Sequence, residues 1–303
     1  MRRTVLAASL LALLCVLPTQ SVEARRAKAS TRLRALTFNI RYDFESDGRN
    51  RWQYRVDLVA QRIIESQAHV ICLQEDKEDQ VNDLKQRLKG YEFVGRGRND
   101  TGSGERCSIV FQSKALKLKA SGDFWLSDTP DVPGSNTWGD KYPRKATWAL
   151  FEPKKGGKKT LLVVNTHLPE GKGRHADTLR TKGVEVIAAW IRGKLDLDSK
   201  KGKGKDVGIL VCGDFNSEAE GSAAYTRLVA EGKLGLRDAW VEAKPADPSP
   251  GTFCGFNGLR TRDRIDWQLV SGPVHVTKAA KLDTEINGRW PSDHYAVLAD
   301  LEF

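Results

Sequence analysis

Four short apolar runs between residues 35 and 216 each stop at a carboxylate, an amide or an imidazole, and that recurrence constrains the fold more than any other feature of the chain. The last run is the plainest. Ile209, Leu210, Val211 and Cys212 lie between Gly208 and Gly213 and lead into Asp214, Phe215 and Asn216. Four apolar residues bounded by glycines read as a strand buried on both faces. Alternation along an extended chain then turns Asp214 and Asn216 to one side and Phe215 into packing. One Asp-x-Asn alone is an ordinary turn. Here it has counterparts, because earlier apolar runs stop at Asn39, at Glu75 and at His167.

The intervals between these runs set the fold class. Helical spacing covers 53–66 through Val56, Val59, Ile63 and Ile64, then 78–88 closed by Gly90, then 173–194 with Leu179, Val184, Ile187, Ala188 and Ile191, and a short piece at 222–231. The stretches 91–95, 107–112 and 116–122 read as a meander, followed by a strand at 144–151 and late strands at 264–270, 274–283 and 295–301. Strands outnumber helices, and helices separate several of them. That order predicts an α+β sandwich of two stacked, mostly antiparallel or mixed sheets with helices packed outside. An all-parallel doubly wound sheet fits worse, since the middle of the chain is strand after strand. There is no glycine-rich phosphate loop opening a helix and no Gly-x-Ser-x-Gly elbow. No repeat or linker divides the chain, so one domain is expected over 33–303.

The first residues stand apart. Arg2 and Arg3 precede an apolar run over 5–18, and Ala24 offers a small residue before a cut. This is the layout of a secretory signal over 1–24, with an apolar part too short to span a bilayer. The expectation is a loose leader over 25–32 and a secreted or periplasmic monomer without an integral membrane segment. Cys72, Cys107 and Cys212 lie inside apolar runs and read as small hydrophobes, with no essential disulfide and no zinc spacing. A net charge of +10 favours acidic partners, nucleic acid or phosphorylated small molecules among them. Much of it falls in lysine and glycine clusters at 154–159 and 200–205, which read as solvated loop tips.

Strand ends on one rim can converge, and Asp266, Asp293 and His294 lie in or beside late strands. A rim holding several acids, two amides and two histidines suits metal-assisted attack on phosphorus. Asn39, then Leu73 to Glu75, Asn165 to His167, Gly213 to Asn216, Arg264 to Trp267 and Ser292 to His294 occur in an order that resembles the endonuclease/exonuclease/phosphatase (DNase I-like) superfamily. The stretch 124–127 and Pro143 with Arg144 look most like its secreted bacterial metal-dependent hydrolases. The resemblance covers 33–303 and implies a four-layer sandwich.

It further implies a phosphoesterase acting by direct water attack, with Glu75 and Asp293 on Mg2+ or Mn2+. His294, oriented by Asp266, would activate or position the water, and Asp214 would share that task. Asn216 and Asn39 would fix phosphate or water, His167 would stabilise phosphate oxygens or protonate the leaving oxygen, and Arg144 would clamp the phosphate. Nucleic acid is the first substrate reading. A small phosphorylated metabolite or a phospholipid head group is the second, and a non-catalytic binder the remote third.

The bland alternatives are that Asn39 and Asn216 close strand ends, that Asp266 pairs with Arg264 or Arg262, that Arg144 is a surface arginine, and that Trp125 and Trp138 pack rather than stack on substrate. Two positions depart from the family pattern. Arg41 stands where many nucleases of the family have an acid, which takes away a ligand of a second metal. Pro169 stands where many bacterial relatives have an acid supporting the histidine.

Overall fold

The structure is a computed structural model that describes residues 31–155, 159–199, 204 and 206–303. The expected signal, the leader up to residue 30, and parts of both lysine clusters lie outside the described residues. Two six-stranded sheets stack face to face. The first contains β1 (Arg32–Asn39), β2 (Val70–Gln74), β3 (Tyr91–Val94), β4 (Ile109–Gln112), β11 (His275–Leu282) and β12 (Ala296–Glu302), in the order β11-β12-β1-β2-β4-β3. The second contains β5 (Leu116–Trp125), β6 (Lys145–Pro153), β7 (Leu161–His167), β8 (Gly208–Asp214), β9 (Arg237–Asp238) and β10 (Asp266–Ser271), in the order β5-β6-β7-β8-β10-β9.

Each sheet is built around one parallel pair, β1 with β2 and β7 with β8, and its other pairs are antiparallel. Parallel neighbours need a crossover, supplied by α1 (Val56–Ser66) in the first half and by the long α3 (Arg174–Leu195) in the second. These helices, with α2 (Glu78–Arg87) and α4 (Ala223–Val229), form the outer layers. Apolar side chains fill three interfaces. Val70, Phe111, Phe151, Val163 and Leu210 lie in the cluster between the sheets. Val59 and Ile63 of α1 share a second cluster with Leu73 of β2, and Ile187 and Ile191 of α3 a third with Val211 of β8. The four-layer expectation is met.

This topology gathers the functional groups at one rim. Parallel pairing places Asn39 opposite Gln74, and His167 opposite Asp214, so four strands end together. The antiparallel partners begin where those strands end: Asp266 opens β10 opposite Asp214, and His294 lies just before β12, which pairs with β1. Asn165 ties the rim across the sheets. Its amide nitrogen donates to the carbonyls of Leu73 (2.7 Å) and Ser108 (3.0 Å), and its oxygen accepts from Gln74 (2.7 Å).

Two expectations need correction. The stretch 116–122 does not continue the meander. β3 and β4 pair in the first sheet, whereas β5 pairs with β6 in the second. The reason lies at the turn before it, where Ala115 gives its carbonyl to Lys154 of the second sheet (2.8 Å) and Leu116 enters the layer between the sheets. Secondly, β9 and the short α5 (Ala239–Ala243) were not expected at all. They are too short to show a period, and Asp238 is held by the buried Arg264 guanidinium at 2.7 and 3.2 Å.

Gly213 is fixed by the close approach of β7 to β8. A Cβ on it would lie 2.2 Å from the Thr166 carbonyl oxygen. Gly213→Ala must therefore push two central strands apart, and a loss of about 2 kcal/mol or more is expected in chemical denaturation.

Candidate active site

Asn39 is the hub. Its side-chain nitrogen donates to Glu75 Oε1 and to Asp214 Oδ2, both at 2.9 Å, joining an acid of the first sheet to one of the second. Its oxygen accepts from the Arg41 amide (3.0 Å), and the Tyr42 amide donates to Glu75 Oε2 (3.2 Å). The Ser292 hydroxyl donates to the Asn39 carbonyl (2.7 Å), which sets the two residues that follow it. His294 then places Nδ1 2.9 Å from Asp266 Oδ2 and leaves Nε2 facing Asp214 Oδ2 at 3.7 Å.

On the other side of Asp214, His167 Nε2 lies 3.6 Å from the same oxygen. The side-chain nitrogen of Asn216 reaches both His167 Nε2 and the Leu168 carbonyl at 3.0 Å. A carbonyl accepts only from a donor, so this atom is the NH2 group, His167 Nε2 accepts from it, and the imidazole proton is on Nδ1. Nδ1 faces Glu105 Oε2 at 3.9 Å.

Seven of the residues singled out in the sequence thus form one chain of contacts: Asn39, Glu75, His167, Asp214, Asn216, Asp266 and His294. Asp293 joins through Arg41, whose Nε lies 3.9 Å from its carboxylate. Arg144 does not touch this chain. It is buried, with Nε 3.4 Å from Asp140 and Nη1 without a hydrogen-bond partner, and shares with His167, Arg98 and Glu105 a small cavity. Asp266 does not pair with Arg264, which is taken by Asp238. Trp125 is buried and bonded to the Arg98 carbonyl, so it packs and is not open to a ligand.

Strand alternation does not bring Asn216 to the site, contrary to expectation. β8 ends at Asp214, and Asn216 reaches the site because its backbone turns left-handed, at a φ of 47°. Arg41 (55°) and Glu75 (62°) do the same. Such conformations cost energy for residues with a side chain and cluster where function holds them.

Burial raises the Glu75 carboxyl, and the nearby charges of Asp293 and Glu105 raise it further, to about 7. Burial, then Asp266, pushes Asp214 up to about 6. The histidines diverge. Burial, with the Arg144 and Arg98 charges, holds His167 well below its ordinary range and so neutral. Burial opposes charge on His294 too, but Asp266 and Asp214 outweigh it and hold the imidazolium well above that range.

Four residues near the site went unread in the sequence. Glu105 and Arg98, paired at 2.9 and 3.1 Å, come from the glycine-rich loop before β4. Phe253 is 39% exposed and stands edge-on to His294, with ring centres 5.2 Å apart. Arg55 is fully buried and donates to the carbonyls of Ile40, Pro291 and Arg41, clamping the loop after β1 to the loop before β12. Its signal was available, since it falls four residues before Val59 and eight before Ile63, on the apolar stripe of α1.

The fold and rim together define a phosphoesterase of the DNase I-like sandwich class. The chain belongs to the Endonuclease/Exonuclease/phosphatase family, whose model matches residues 36–294. A mannosyl-6-phosphatase of Bacteroides thetaiotaomicron is 28% identical, with 89% of this chain and 100% of that one covered at a TM-score of 0.77. A family protein of Bacteroides vulgatus is 30% identical, covering 89% and 98% at 0.78. Protein angel homolog 2 of Bos taurus is 26% identical over 189 residues, 60% of this chain and 32% of its own length, so the match spans about a third of the curated relatives. Among the described residues no helix is long and apolar enough to cross a membrane.

Proposed function

We propose that the protein is a Mg2+-dependent phosphoesterase that hydrolyses phosphomonoesters of a small ring-bearing alcohol, a sugar phosphate being the first choice. The observation that carries the mechanism is the Asn39 amide bonded at 2.9 Å to Glu75 and Asp214 at once. The donor set fits a hard divalent cation. Glu75 and Asp293 each lie 3.9 Å from the Arg41 guanidinium, and the Asp293 charge raises the buried Glu75 carboxyl, so the two acids offer neighbouring hard oxygen donors to a cation. A second oxygen-rich set, Asp214 and Asp266 with His294, has ligand atoms within 4.8 Å of one another, but there Nδ1 of His294 and Asp266 are already paired. Glu75 and Asp293 would hold the ion, which when bound draws charge from the phosphoryl oxygens.

The protein groups divide the remaining work. Asp214, between the two histidines, accepts a proton from the attacking water. His294, with Nδ1 engaged by Asp266, points Nε2 into the site as a donor to a phosphoryl oxygen. Asn216 holds His167 in one tautomer and orientation on the opposite wall. Exposed Phe44, Tyr142 and Phe253 each contact Arg41, Arg98 or His294 and offer faces to a sugar or base. The sugar-phosphate choice draws on the mannosyl-6-phosphatase likeness, which runs the full length of that chain. Polynucleotide is the second reading, favoured by the net charge of +10. Export after removal of 1–24 belongs to the same proposal, and N-terminal sequencing of the mature protein tests it.

A substrate panel decides between the readings: hexose 6-phosphates, an aryl phosphomonoester, sphingomyelin, RNA, and single-stranded and duplex DNA. The expected result is phosphate release from the hexose phosphates, lost in EDTA and restored by Mg2+. Cleavage of polynucleotide with the small esters untouched would overturn the choice.

A further inference from the structure

Arg41 is a cation set among acids at the rim. Its guanidinium is held by Asp47 (Nε 3.0 Å, Nη2 3.2 Å) and lies 3.9 Å from both Glu75 and Asp293. The Tyr42 and Phe44 rings cover it, 4.7 and 5.5 Å from Cζ. The backbone fixes it as firmly. The Arg41 amide donates to Asn39, and its carbonyl accepts from Arg55 and Gln80 at 3.0 Å each. A left-handed arginine tied at four points is positioned, not adrift on the surface.

Charge counting gives this position a consequence. Three carboxylates, Asp47, Glu75 and Asp293, surround one guanidinium. Ionised together they leave two negative charges unbalanced, the complement of a single divalent ion; around them Asp266 is matched by the His294 imidazolium, Glu105 by Arg98, and Asp214 in sum by the buried Arg55. With a neutral residue at 41 the deficit would be three, and with an acid four, the complement of two such ions. At these separations in a partly buried site the difference of one charge is felt strongly.

We infer that Arg41 is a built-in cation of the active site, taking the share of negative charge that a second divalent ion would otherwise take, so that the protein binds one ion at Glu75 and Asp293. The inference rests on the metal-dependent reading above and deepens it. Asp47 holds the guanidinium through Nε and Nη2, and Nη1 stands 3.9 Å from Glu75, beyond a direct hydrogen bond, so it tunes the affinity of the acids without replacing their ligand. Arg41 is a positioning and charge-balancing residue.

The test is the stoichiometry of Mn2+ on the metal-stripped full chain, by calorimetry and by the electron paramagnetic resonance of unbound ion. Wild type and Arg41→Lys are expected to bind one ion. Arg41→Asp is expected to bind two, and Arg41→Asn to bind the first about tenfold more tightly. Asp and Asn tolerate the left-handed backbone best, so the two variants back each other should one fail to fold. Two ions on wild type, or one ion of unchanged affinity on both neutral and acidic variants, would overturn the inference and leave the phosphoesterase reading standing. No binding by wild type, together with no hydrolysis in the panel, would remove that reading first.

Discussion

Glu75→Gln lowers hydrolysis by at least about a thousandfold and abolishes measurable Mg2+ binding, while the metal-free protein becomes more stable, not less. The two halves of this expectation have one cause. Glu75 is a carboxylate buried among like charges, and burial with Asp293 and Glu105 lifts its pKa from an ordinary 4.5 to about 7. An acid whose folded pKa lies above its unfolded one destabilises the fold as it ionises. In EDTA the wild type should therefore lose stability as pH rises from about 4.5 through 7, and Glu75→Gln should show that loss much reduced. One local cost opposes the gain, because both Glu75 oxygens accept from donors, Asn39 and the Tyr42 amide, and glutamine can satisfy only one. Glu75→Ala leaves both donors without this acceptor, so its stability bounds the local cost from above. Thermal melts in EDTA across this range, with turnover in Mg2+, check both halves. Full activity in a folded variant would remove Glu75 from the mechanism.

The rim was legible in the sequence because buried strands leave little ambiguity. β2, β7 and β8 are apolar without alternation and stop at polar groups, and their parallel pairing then aligns those ends. What local pattern could not convey is partnership. Leu116 opens a strand whichever sheet receives it, and the pairing of β5 with β6, begun by the Ala115 to Lys154 bond, is what carries it across. Asn216 reached its expected side by a left-handed turn and not by alternation, so a correct placement came from an incomplete argument. Asn165, read with His167 as one motif, works differently from it, since its side-chain hydrogen bonds all tie the two sheets and none enters the site. Glu105 left no trace because a lone acid in a glycine-rich loop has neither period nor apolar frame. Its meaning comes from Arg98 beside it and His167 across from it, more than sixty residues on.

His294→Asn is expected to cost about 10³ to 10⁴ in kcat, and Asp266→Asn about 10², but the double variant should cost little more than His294→Asn alone. Asp266 is buried and makes no contact with Asp214 or Glu75 among its hydrogen bonds; its Oδ2 is committed to His294 Nδ1, and its Oδ1 has no partner. Its hydrogen-bonded route to the chemistry is that imidazole, beside the lesser effect of its charge on Asp214, where burial is the larger cause of the raised carboxyl. If Asp266 instead bound the ion directly, as its place beside Asp214 would allow, its loss would add to that of His294 and weaken Mg2+ binding as well. A double-mutant cycle on turnover, with calorimetric Mg2+ affinity measured on the same four proteins, separates the two. Asparagine is the substitution of choice at 294. An amide can still donate toward Asp266, whereas alanine would leave a carboxylate buried and unpaired, a loss of about 3 to 5 kcal/mol that would confuse unfolding with catalysis. Additive losses with weakened Mg2+ would move Asp266 from orienting His294 to holding the ion. Non-additive losses with unchanged affinity would keep the Asp266 and His294 pair as one phosphate-facing donor unit, set against an ion held by Glu75 on the other side of Asn39.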